Sequence, residues 1–200
     1  KLYRNITGGD VEEVPEEQAP IKELLNGTES VTWTGLQATD IDGNPYTFSV
    51  KEVDAAGNDF KPDNYEKLEE GLKVTNTYKA TGTFTPMVCK RLVGRPLVEG
   101  EFRFELIPND GVSANDEEGA PIDEALLTQS NSAPNDEGIG FVCFPEMHFT
   151  YDDIGTHVYS IGELDDGLSH VDYDKTIVDL ILVIKDNEDG TLNIEDTYSR

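Results

Sequence analysis

The sequence predicts an all-β protein built as two β-sandwich blocks. Three observations carry that expectation. Apolar residues recur at every second position in short runs, as in Tyr46-Thr47-Phe48-Ser49-Val50, the period of a half-buried strand. The runs are rich in β-branched and aromatic residues, and Gly, Asp and Asn clusters punctuate them. Helical periodicity is scarce: residues 11–25 have some helical composition, but Pro15 and Pro20 interrupt it.

In chain order the pattern predicts strands at 31–35, 45–53, 71–78, 83–92, 101–107, 140–144, 147–151, 156–163, 176–185 and 190–198, with a single helical turn within 64–72. Asp42-Gly43-Asn44 and Asp189-Gly190 read as hairpin turns. A short polar joint, Lys79-Ala80-Thr81-Gly82, divides the chain into blocks 1–80 and 81–200, both of ordinary domain size. Between Pro108 and Gly138 the chain is rich in Asp, Asn, Ser, Gly and Pro, which predicts a long surface excursion.

Composition narrows the function. Asp and Glu number 41 against 15 Lys and Arg, a formal charge of -26. That balance argues against nucleic acid and anionic membranes, which need a basic footprint. No run of 18 apolar residues is present, so nothing reads as a membrane span. A first residue Lys1 with no signal peptide reads as an internal piece of a longer chain. Cys89 and Cys143 leave one possible disulfide or two free thiols.

Three ionisable residues stand on apolar strand faces. Lys90 alternates with Val88 and Leu92, Glu163 with Tyr159 and Ile161, and Asp196 with Leu192, Ile194 and Tyr198. A buried charge must pair, neutralise or react. The bland alternatives are a satisfied ion cluster, or strands shifted by one residue so that all three face water. The reactive one is a self-made amide: burial disfavours both charged forms, fixed contact raises effective concentration, and Glu163 moves the proton. Tyr159, Tyr198 and Phe104 are the aromatic neighbours expected to exclude water. The first block repeats part of this grammar. Glu52 shares a face with Tyr46, Phe48 and Val50, and Asn76 with Leu72, Val74 and Tyr78.

These residues carry a family resemblance. Residues 1–79 resemble a Cna B-type domain through Leu2-Tyr3-Arg4-Asn5, Val31-Thr32-Trp33-Thr34-Gly35-Leu36, the run from Asp42 to Glu52, and Val74-Thr75-Asn76-Thr77-Tyr78. Residues 83–200 resemble the streptococcal-type pilin isopeptide-linkage domain. The matching runs there are Lys90 to Leu97, Gly100 to Leu106, Asp153 to Glu163 and Asp186 to Leu192.

The resemblance implies tandem immunoglobulin-like sandwiches in a Gram-positive pilin or wall-anchored adhesin. It implies Lys90 as nucleophile, Asp196 as electrophile with water leaving, and Glu163 as proton-handling acid/base. In the first block Glu52 and Asn76 are remnants, because the lysine-bearing opening strand of that family is missing. They are expected as a hydrogen-bonded pair without a crosslink.

The expected role is a structural stalk segment outside the cell, on the wall or a pilus, and not an enzyme. No cofactor or metal is expected. Partners would be neighbouring domains or pilin subunits. The alternative is a host matrix protein or glycan held by the 108–138 loop. Asp40-Ile41-Asp42-Gly43-Asn44 resembles the start of a calcium loop, yet position 51 is Lys where a bidentate acid belongs, so a plain turn is expected. His148, His157 and His170 lack metal-site spacing. The Asn-x-Thr triplets at Asn5 and Asn26 read as incidental.

Overall fold

The computed structural model describes residues 1–24, 30–109 and 111–200, so the Asn26 triplet lies outside the described residues. Among these the secondary structure is β, with two short 3₁₀ turns and no α-helix. The chain separates into two compact units, Lys1–Lys79 and Ala80–Arg200.

The first unit contains β1 (Leu2–Asn5), β2 (Glu12–Glu13), β3 (Thr47–Val50), β4 (Tyr65–Glu70) and β5 (Lys73–Tyr78). β1 pairs antiparallel with both β2 and β3, and β4 pairs with β5. Its core is Leu2, Val14 and Ala19, with Trp33, Leu36, Phe48 and Val50 packed against them. Two expectations need correcting here. Residues 31–35 form no strand: the Trp33 indole donates to Pro20 O at 2.8 Å and Lys22 Nζ to Thr32 O at 2.5 Å. Residues 65–70 are a strand and not a helical turn. Lys67 and Glu69 can occupy its half-buried face because Lys67 Nζ lies 2.6 Å from Asp59 and 3.0 Å from Glu69. Gly71, at φ 56°, permits the tight reversal into β5.

The second unit contains β6 (Thr81–Phe84), β7 (Met87–Arg91), β8 (Arg103–Pro108), β9 (Thr128–Ser130), β10 (Ile139–Cys143), β11 (Met147–Thr150), β12 (Gly155–Glu163), β13 (Val178–Asp186) and β14 (Leu192–Ser199). Five of them form an antiparallel sheet in the order β14-β13-β12-β8-β9. Two ribbons, β10-β7 and β11-β6, complete the strand set. Apolar side chains from both sets are buried, among them Leu106, Tyr159, Ile161, Leu180 and Leu182 from the large sheet and Val142, Met147 and Phe149 from the ribbons. The Phe149 and His157 rings meet edge-on at 5.9 Å, joining a ribbon to the large sheet.

The single strand expected over 83–92 is split into β6 and β7. Pro86 has no N–H to give to a ladder, so pairing breaks there. Residues 108–138 also differ from a free excursion. They carry the 3₁₀ turn Glu124–Leu127 and β9, and Ala114, Ile122 and Leu127 are buried. The Tyr159 hydroxyl donates to Ser113 O at 2.9 Å and His148 N–H to Asn115 O at 2.9 Å, tying the segment down.

A buried amine and carboxylate between two layers

Lys90 lies in β7, where burial alternates: Met87, Cys89 and Arg91 are exposed and Lys90 is 8 % exposed. The alternation turns the amine inward. Its Nζ donates to Glu163 Oε1 at 2.5 Å. Glu163 ends β12, opposite Phe104 of β8, and its side chain is 2 % exposed. The other carboxylate oxygen, Oε2, accepts the Asp174 N–H at 3.0 Å. Each carboxylate oxygen therefore has a donor, as a buried acid requires.

Nζ also lies 4.2 Å from the centroid of the Phe102 ring, within cation–π range. Phe102 is fully buried. Asn131 fixes its backbone: Oδ1 accepts the Phe102 N–H at 2.8 Å, and Nδ2 donates to Val98 O and Ser132 O, each at 2.9 Å. Directly across the ribbon from Lys90 stands Gly140. A Cβ there would lie 2.8 Å from Ser132 O and 2.9 Å from Leu97 Cδ2, so only glycine leaves room for this packing. Sequence reasoning named Phe104 as a shielding aromatic and did not find Phe102, Asn131 or Gly140. Burial pushes the Tyr159 phenol well above its ordinary range, and raises Tyr198 as well. Both face their surroundings as neutral hydroxyls at neutral pH.

The structure does not bring Asp196 to this pair. In the large sheet Leu182 stands opposite both His157 of β12 and Asp196 of β14. Glu163 lies farther along β12 from His157, by about 20 Å at ~3.3 Å per residue. Asp196 is exposed, because β14 is the outer strand of the sheet and its burial fades after Ile194. Strand alternation assigned Asp196 to the inward face, where fully buried Leu182 is its neighbour. It could not say which row of that face the residue occupies.

The other expected residues fall elsewhere. In the first unit Asn76 Nδ2 donates to Glu52 Oε2 at 2.8 Å, and the Glu52 N–H donates to Glu69 Oε1 at 3.0 Å. Lys1 Nζ is paired with Glu13 at 2.7 Å. Cys89 and Cys143 are both free and exposed. They lie on neighbouring strands but diagonally, Cys89 opposite Phe141 and Cys143 opposite Met87. Diagonal neighbours stand about 7–8 Å apart, beyond ordinary disulfide geometry. In the Asp40 turn Oδ1 accepts the Asp42 and Asn44 N–H groups and Oδ2 accepts the Asn44 amide. These bonds hold its carboxyl below the usual range, the Asn44 side chain first among them.

A lysine amine touching a buried carboxylate is a satisfied ion pair, and it also has a chemical competence. Once a proton passes from nitrogen to Glu163, the amine is a nucleophile, and the acid can return the proton to a leaving group. A two-layer antiparallel fold with such a pair between its layers is a structural domain of pilin or adhesin type.

The comparisons agree. Residues 86–200 match FctA, the Spy0128-like isopeptide containing domain, and the chain belongs to that family. The chain is also similar to a collagen adhesin of Staphylococcus aureus, 42% identical over 83 residues. That match takes in 42% of this chain and 7% of the adhesin, so the chain spans a small part of that relative's length.

Proposed function

We propose that this chain is a stalk segment of a Gram-positive pilin or wall-anchored adhesin, displayed outside the cell. A Cna B-type domain precedes an isopeptide-linkage domain in this reading. Lys90 is the nucleophile of a single, self-directed amide-forming step, and Glu163 takes and returns the proton. The observation that carries the reading is the 2.5 Å contact between two charged groups, in a site where Glu163 is almost fully enclosed. An ion pair kept only for stability is poorly placed there, since desolvation offsets much of its attraction. Neighbouring domains and subunits of the same surface structure are its partners, and its function is to resist extension.

Limited treatment of the folded protein with a small acylating ester tests the pair. Peptide mapping should find Lys90 acylated, more slowly in Glu163→Gln. If Lys90 stays unmodified when folded and reacts only after denaturation, the proposed role fails.

The similarity to a collagen adhesin supports a second reading, in which the acidic 108–138 segment holds a host matrix protein or glycan. A matrix and glycan binding screen, repeated with Glu117→Lys/Glu118→Lys, separates it from a passive stalk. Unchanged binding in that variant would discard it.

A further inference from the structure

The outer face of the β10-β7 ribbon carries a group of side chains that the amine–acid pair does not use. Burial alternates along both strands, so Met87, Cys89, Phe141 and Cys143 all lie on the exposed face. Both cysteines of the chain and one of its two methionines therefore stand in one patch. Cys89 is opposite Phe141, and Cys143 is opposite Met87. Phe141 turns both backbone groups away from β7: its N–H donates to Ser132 Oγ at 3.0 Å, and its carbonyl accepts the Ser132 N–H at 2.7 Å. Met87 likewise turns its N–H away from β10, donating to the Tyr198 hydroxyl at 3.2 Å. These are non-hydrogen-bonded pairs, in which opposite Cα atoms approach to about 4.5 Å and side chains stand closest. The Met87 thioether is thus the cross-strand neighbour of the Cys143 thiol. Cys89 is two residues along the same face of β7, about 6.6 Å on at ~3.3 Å per residue.

We propose that Cys89, Cys143 and Met87 form a surface site for a soft monovalent cation of the copper(I) class, with two thiolates and one thioether as its ligands. The diagonal spacing of the two thiols suits an ion better than a bond between them. A disulfide brings its sulfurs to ~2.05 Å, whereas an ion bonded at ~2.3 Å to each lets them stand up to ~4.6 Å apart. The donors select the ion, because thiolate and thioether sulfur are soft and suit copper(I). Among the described residues no group of three His, Cys, Asp or Glu side chains is placed to hold a metal. The third donor is therefore the thioether, which lies outside the usual zinc set. Phe141 fills the fourth corner of the patch with a ring that offers the ion no lone pair. A chain charge of -26 draws cations toward this surface. Binding forms the copper–sulfur bonds and releases the two thiol protons to solvent, and copper stays monovalent. The site faces away from Lys90 on β7, so it stands independently of the role given to that amine.

Anaerobic titration of the reduced full chain tests the site. Copper(I) is supplied as its acetonitrile complex, and uptake is read by competition with a coloured copper(I) chelator. One copper(I) per chain should leave the chelator. Cys89→Ser and Cys143→Ser should each abolish that uptake. Met87→Leu should keep it but bind at least about 10-fold more weakly, a loss seen even for partners outside the ligand shell. All three side chains are exposed, so these substitutions leave the core alone. In the unaltered chain, one equivalent of copper(I) should protect both cysteines from iodoacetamide together, as intact mass would show. Undiminished uptake in either serine variant overturns the proposal, as does unchanged affinity in Met87→Leu. Alkylation of both cysteines in the presence of copper(I) overturns it too, and so does one copper(I) shared between two chains.

Discussion

At the residue scale the site depends on compensation within a few ångströms. Glu163→Ala would leave the Lys90 ammonium buried beside a phenylalanine ring without the carboxylate it bonds, and breaking a buried pair from one side costs about 3–5 kcal/mol. Chemical denaturation of the two proteins measures it. Asn131→Ala leaves the buried Phe102 N–H without an acceptor, a loss of about 1–3 kcal/mol by the same method. Asp196→Ala touches an exposed side chain and should shift stability by no more than about 0.5 kcal/mol. Lys90 and Glu163 were legible because alternation alone gives the face of a strand on which a residue lies. Asp196 was placed on its face by the same rule, but the row along the strand is set by pairing with Leu182, which no local pattern encodes. Phe102 and Asn131 left no signal because their importance arises from contacts far apart in sequence.

At the element scale, the β-strand pattern was readable wherever alternation was strong, as in β12 and β13. It failed in β4, where charged residues take the half-buried positions and satisfy one another. It also failed at Pro86, where one long run becomes two strands serving different ribbons. After that break β6 pairs with β11 and β7 with β10. Gly140→Ala tests how tightly the ribbon is seated. The new methyl would collide with a backbone oxygen, which cannot move as a side chain can, and should cost about 1–3 kcal/mol. Thermal melts of this variant should show a clear drop, whereas Gly162→Ala meets only the flexible tip of Ile177 and should fall less.

At the scale of the whole molecule, a charge of -26 works against compactness at neutral pH. Raising salt from about 0.01 M to about 0.15 M shortens the screening length from ~30 Å to ~8 Å, and the melting temperature at pH 7 should rise. Acid brings an opposing effect. Asp40, Asp54 and Asp189 have carboxyls held low, mainly by bonds from Asn44, Asn58 and Thr191 respectively. A folded-state value below the unfolded one gives stability present above about pH 4, lost as pH falls through the folded value. Melts across pH should therefore peak on the mildly acidic side of neutrality and decline below about pH 4. Within residues 1–200, Asp196 lies in the row of Leu182 and His157, away from the Lys90–Glu163 pair. Intact mass and a peptide map of the folded chain are the decisive check on that separation. The folded chain should show its full calculated mass, with Lys90 recovered in an unbranched peptide. A chain lighter by one water, with a branched peptide joining Lys90 to Asp196, would overturn the placement of Asp196.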